Sequence, residues 1–150
     1  VLARKSAHLK NWEELRGRPV CATQGAYYNR PAVEKYGINI VAFAGIPEAQ
    51  NALLAGTCVA FLQDSALQEA TLLGGDPRWN DFEMPLTTEN IAVWNIAVPL
   101  AEKDGPYGRF MSGLVAEWHK TGKLIELNAK WGLKPNPFLE EMHQKYKAGG

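Results

Sequence analysis

Pro19-Val20-Cys21-Ala22-Thr23-Gln24-Gly25-Ala26-Tyr27 and, further along, Val59-Ala60-Phe61-Leu62-Gln63-Asp64 are the stretches on which the fold turns. Each is a short apolar run with the length of a buried strand, and each ends in residues suited to a turn or a helix start. Between them lie two helical patterns and a third strand. Tyr27 to Tyr36 reads as a helix with Pro31 in its first turn or so, where a missing N–H costs little, and Gly37 ends it. Asn39 to Phe43 reads as a strand. Pro47 opens the next helix, with Ala49, Ala52, Leu53 and Gly56 on one face or at its end. Thr57 to Leu62 is then a strand, and Asp64 to Leu73 a helix stopped by Gly74-Gly75. This β-α-β-α-β-α rhythm with short loops predicts an α/β fold, a parallel sheet covered by helices on both faces.

Outward from this block the pattern changes. Val1-Leu2-Ala3 reads as the tail of a strand. Asn11-Trp12-Glu13-Glu14 carries a capping-box pattern, Asn11 as cap and Glu14 three residues on, and predicts a helix closing at Gly17. Beyond Gly75 the alternation stops. Asp76 to Asp81 is loop-like, Phe82 to Leu86 a short strand, and Ile91 to Pro99 an extended run around Trp94. Pro106 then opens a helix with the apolar stripe Phe110, Leu114, Val115 and Trp118. Lys123 to Trp131 is helical up to Gly132, and Phe138 to Lys147 forms a polar terminal helix.

Composition narrows the function. The 150 residues hold 16 basic and 16 acidic side chains, a net charge of zero. Nucleic acid and anionic membrane both require a clustered positive excess, so neither is an expected partner. Hydrophobic residues at 46%, charged residues at 21% and a mean hydropathy of −0.25 are values of a folded globular chain. No apolar run approaches the roughly 18 residues of a membrane-spanning helix. Val1 opens the chain without an initiator Met or a signal-peptide pattern, as expected of a processed or truncated product. Cys21 and Cys58 form no CxxC pair. His8, His119 and His143 show no metal-ligand spacing and read as surface histidines, so no metal site is expected.

Two features can carry chemistry. The turn Thr23-Gln24-Gly25-Ala26-Tyr27 lies between a strand and a helix, where free N–H groups favour an anion. It has neither GxGxxG nor Gly-Lys-Ser/Thr, which points to a small carboxylate rather than a nucleotide phosphate. Gly25 also has a purely structural reading, as a turn former. Asp64 follows Gln63 at the carboxyl end of a strand, the edge where open α/β sheets place ligands. It can cap the following helix or meet a cation. Together the two features suit a zwitterion. No catalytic constellation is found, since there is no GxSxG elbow and neither Cys sits beside a His.

The order of these segments resembles the family-3 periplasmic solute-binding proteins of polar amino-acid ABC transporters. The motifs carrying the resemblance run nearly the whole chain. They are Asn11-Trp12-Glu13-Glu14-Leu15-Arg16-Gly17-Arg18-Pro19-Val20, the turn Thr23 to Tyr27, Ala49 to Gly56 followed by Val59 to Asp64, the strand Ile96-Ala97-Val98-Pro99, and Gly122-Lys123-Leu124-Ile125-Glu126-Leu127 with Lys130-Trp131-Gly132. The resemblance implies the type II periplasmic-binding-protein fold, two α/β lobes closing on a ligand. Residues 1–88 would be lobe two, 89–95 the returning hinge strand, and 96–150 the C-terminal part of lobe one. The opening segment of lobe one, which supplies an aromatic shelf and a carboxylate-clamping arginine, would be absent.

Carried over by position, the resemblance gives Asp64 the ligand ammonium and the backbone of Gly25, Ala26 and Tyr27 the ligand carboxylate. Gln63 falls where selectivity is often set, and Trp94 would line the cleft from the hinge. Ala26-Tyr27 departs from the hydroxyl residue common in that turn. The implied role is capture of an amino acid or similar small zwitterion in the periplasm, or on the outer side of a membrane, and delivery to an ABC permease. No cofactor is expected. A second copy or separate chain could supply the missing segment. The same fold also carries cyclohexadienyl-dehydratase-like enzymes and sensor or accessory modules. The template places the strands of Cys21 and Cys58 side by side, close enough to bridge, and leaves open whether they are bonded.

Overall fold

A computed structural model describes residues 1–87, 91 and 97–149. They fall into two compact units, Val1–Val93 and Trp94–Gly150.

The first unit is built on a five-stranded sheet. Its strands are β1 (Leu2–Arg4), β2 (Pro19–Thr23), β3 (Asn39–Phe43), β4 (Ala60–Leu62) and β5 (Phe82–Glu83), in the order β3-β2-β4-β1-β5. β2 is parallel to β3 and to β4, as the alternating rhythm requires. β1 is antiparallel to both β4 and β5. The sheet is therefore mixed rather than wholly parallel.

Helices α1 (Asn29–Tyr36), α2 (Ile46–Leu54) and α3 (Ser65–Leu73) connect or follow the strands. The period-2 alternation of the strands sorts the core into two clusters. Val20, Ala22, Ala60 and Leu62 join Ala32 and Tyr36 of α1, together with Trp12 and Leu15, on one face. Cys21 and Phe61 join Ala49 and Leu53 of α2, with Leu72 of α3, Trp79 and Phe82, on the other. Trp12 stacks on Tyr36 at 5.2 Å between centroids. The sheet is thus covered on both faces.

Several elements are shorter or tighter than the sequence predicts. The Asn11 capping pattern starts a 3-10 turn over Trp12–Leu15, not an α-helix. The Asn11 side chain accepts from the Glu14 N–H at 3.2 Å, while the Glu14 carboxylate takes the N–H of Lys10 at 3.0 Å. The cap works, but Gly17 follows within one turn and adopts φ +67°. β4 begins at Ala60, three residues later than expected, because Thr57 to Val59 are still leaving the turn at Gly56. There Thr57 N–H donates to Ala52 O at 2.9 Å and Val59 N–H to Pro19 O at 2.9 Å. β5 ends at Glu83, so Met84 to Leu86 are not strand.

Cys21 and Cys58 are bonded, with Cα atoms 5.5 Å apart. Cys21 lies in β2 and Cys58 just ahead of β4, so the bridge ties the two central parallel strands on the α2 face.

In the second unit the described regular structure is helical: a 3-10 turn at Leu100–Glu102, then α4 (Pro106–Thr121), α5 (Lys123–Lys130) and α6 (Pro137–Lys147). Gly122 adopts φ +74° and both ends α4 and opens α5. His119 is buried rather than at the surface. Its ring stacks on Tyr146 at 5.4 Å and meets Phe138 edge-on at 6.4 Å, both from α6. The His143 ring Nδ1 lies 2.8 Å from the His119 carbonyl, so an α6 side chain closes the last turn of α4. The extended run predicted for Ile91 to Pro99, the 89–95 hinge strand and Trp94 fall largely or wholly outside the described residues, and Ala97 to Pro99 have no regular structure.

Candidate functional site

The chain order fixes where a ligand site can form. From β2 the connection through α1 goes to β3 on one side, and from β3 the connection through α2 crosses back to β4 on the other side of β2. The carboxyl ends of β2 and β4 are therefore the switch point of the parallel sheet, where the two connections part and leave a crevice. In register, Ala22 pairs with Leu62, so Thr23 and Gln63 come next on adjacent strands. Gly25, Ala26, Tyr27, Gln63 and Asp64 are gathered at this one edge.

The turn after β2 is held from below. Gln24 N–H donates to Phe43 O at 2.7 Å and Ala26 N–H to Thr23 O at 3.3 Å. Gly25 takes φ +76°, and a Cβ there would meet nothing within 4 Å. The glycine is required by backbone conformation, and the space beside it is open. α1 begins four residues later, at Asn29, with no side-chain cap on its first turn; the Asn29 N–H is taken by Ala26 O at 3.1 Å and Pro31 carries none. What this end offers an anion is mainly the positive end of the α1 dipole beside the open turn.

Across the switch point, Asp64 occupies the cap position of α3 without a side-chain capping hydrogen bond. Of the two roles read from sequence, capping is the one this geometry does not use. The carboxylate acts electrostatically on the turn instead. The phenol of Tyr27 is raised above its ordinary pKa by partial burial and then by the nearby Asp64 charge. Burial raises that of Tyr28 as well, with Asp64 and Tyr27 adding to it and a hydrogen bond with Thr23 opposing it. The Tyr27 ring, 42% exposed, stands edge-on against Tyr28 at 5.0 Å.

Sequence reasoning passed over Thr23 and Tyr28 as site residues. Tyr28 is buried, and its hydroxyl donates to Gln63 Oε1. Gln63 Nε2 donates to Thr23 Oγ1 at 3.4 Å. Asn29 Nδ2 donates to Thr23 O at 2.8 Å. The available signal was polar groups at a strand end, Thr23, and at a helix start, Tyr28, on either side of the turn.

No family model matches the chain. A curated relative, the L-glutamate/L-aspartate-binding protein of Pseudomonas aeruginosa, is 23% identical across 91% of this chain and 46% of its own length. Among solved structures, a mutant of ArgBP from T. maritima matches with a TM-score of 0.64 at 24% identity, covering 87% of this chain and 55% of that one. The fold is that of the type II periplasmic binding proteins. The second substrate-binding domain of a Streptococcus pneumoniae protein assigned to amino-acid ABC transport also matches, with a TM-score of 0.51 at 20% identity over 57% of this chain and 39% of that one. The resemblance to solute-binding proteins of amino-acid ABC transporters, carried by the motifs of the sequence, thus has a counterpart in a curated relative and in the fold. The chain spans about half the length of the curated relative it matches.

Proposed function

We propose that this chain is part of an extracytoplasmic solute-binding protein that captures an amino acid, or a similar small zwitterion, and passes it to an ABC transporter permease. The observation that carries the reading is the pairing, at one switch point, of an open anion-favouring turn at Gly25 to Tyr27 with the Asp64 carboxylate. A zwitterion satisfies both: its carboxylate meets the turn and the positive end of α1, and its ammonium meets the acid. On this reading residues 1–88 are lobe two, 89–95 the hinge strand with Trp94 lining the cleft, and 96–150 the C-terminal part of lobe one. Closure of the lobes about the hinge would trap the ligand without chemistry. The periplasm, or the outer side of a membrane, is the compartment such a role requires, and an oxidising compartment agrees with the Cys21–Cys58 bond.

The test is native mass spectrometry of the full-length protein as purified, followed by a thermal-shift screen of the twenty common L-amino acids. A bound amino acid, or a clear shift with at least one of them, is expected. No shift with any, together with turnover of a cyclic amino-acid precursor, would replace this reading with that of an enzyme on the same fold.

A further inference from the structure

The two halves of the site are joined by side chains. The Tyr28 hydroxyl and the Asp64 backbone N–H, the latter at 3.0 Å, both donate to Gln63 Oε1, and Gln63 Nε2 donates to Thr23 Oγ1. Two donors use both lone pairs of the Gln63 amide oxygen, so that atom has no capacity left for a ligand. Tyr28 immediately precedes α1, and Gln63 immediately follows β4. The amide of Gln63 is therefore a bridge from the start of α1 and the end of β2 to the backbone of Asp64. Tyr28 is only 7% exposed. Losing Gln63 would take the acceptor away from the Tyr28 O–H, so the two side chains hold each other in place.

We propose that Tyr28 and Gln63 are positioning residues: their hydrogen-bond chain sets the distance between the Asp64 carboxylate and the anion turn, and so the charge separation a ligand must have to engage both. The inference rests on the amino-acid reading of the site. Gln63 then discriminates between ligands through where it holds Asp64. A ligand with ammonium and carboxylate on one carbon fits a single spacing. A ligand that engages Asp64 alone is indifferent to it.

The experiment compares wild type, Tyr28→Phe, Gln63→Met and Thr23→Ser in the full-length protein. The probes are the L-amino acid that gives the largest thermal shift and its decarboxylated amine, each measured by calorimetry. Amide hydrogen exchange at Asp64 is read without any ligand. Tyr28→Phe and Gln63→Met are expected to weaken the amino acid by about tenfold and the amine by less than about twofold, so their ratio falls. Thr23→Ser, which keeps the hydroxyl, preserves the ratio. Gln63→Met also speeds exchange of the Asp64 amide. Equal losses for amino acid and amine would mean a merely structural role and overturn the proposal. So would an unchanged ratio, or an Asp64 amide that exchanges as in wild type. A wild-type protein that binds none of the amino acids fails in a different way, by overturning the amino-acid reading itself.

Discussion

The two units of the chain use the same kind of amphipathic helix to different ends. Among the described residues of the first unit, α1, α2 and α3 pack on the sheet, and side chains from both layers, such as Val20, Ala32, Leu53 and Phe61, are almost wholly buried. In the second unit only Gly108 and His119 are buried among the described residues. Phe110, in the apolar stripe of α4, is 63% exposed, and Trp131 72%. Helical periodicity marks which face wants cover. It does not supply the cover, which in the first unit comes from strands distant in sequence. In the first unit the strand ends that form the candidate site are fixed by a sheet packed on both faces.

The contrast can be broken by mutation. Phe61→Ala removes a fully buried ring and is expected to cost about 3–5 kcal/mol. Phe110→Ala should stay within about 0.5 kcal/mol. Urea unfolding of both variants checks the pair, and equal losses would mean that α4 is as deeply packed as β4. Replacing both cysteines by Ala opens a loop with a sequence separation of 37. That should lower stability by about 4 kcal/mol, seen as a lower midpoint in the same unfolding experiment without reductant.

Smaller effects sharpen it. Asn11→Ala removes the side-chain cap of the Trp12–Leu15 turn and should cost about 1 kcal/mol, measured as a shift in the thermal midpoint. Glu34→Gln breaks an i,i+4 pair with Arg30 whose side chains are 86% and 60% exposed. It should cost less than about 0.5 kcal/mol, and the difference should vanish as salt is raised.

Much of the first unit was legible because local signals agree with its packing. β2 and β3 run from Pro19 to Thr23 and from Asn39 to Phe43 as the apolar runs predict, and Gly37, at φ +65°, ends α1. The errors share a cause. The late start of β4 and the short β5 are set by which strand lies beside which, and periodicity within a segment carries no such information, just as it leaves the direction of β1 unstated. His119 was misread for the same reason: its burial comes from Phe138 and Tyr146 on another helix. At the site, the strand-end position of Asp64 and the turn at Gly25 could be read locally. The bridge from Tyr28 through Gln63 could not, because it joins residues 35 positions apart.

The central claim is that the Asp64 carboxylate and the anion turn grip opposite charges of one small molecule. Calorimetry on the full-length protein, wild type against Asp64→Asn, tests it most directly with the best-binding L-amino acid. Removing the acid leaves a desolvated ammonium without its counter-charge. The predicted loss is therefore about 2–5 kcal/mol, roughly thirtyfold or more in affinity, with the fold preserved by circular dichroism. An Asp64→Asn protein that binds the amino acid as tightly as wild type would contradict the account.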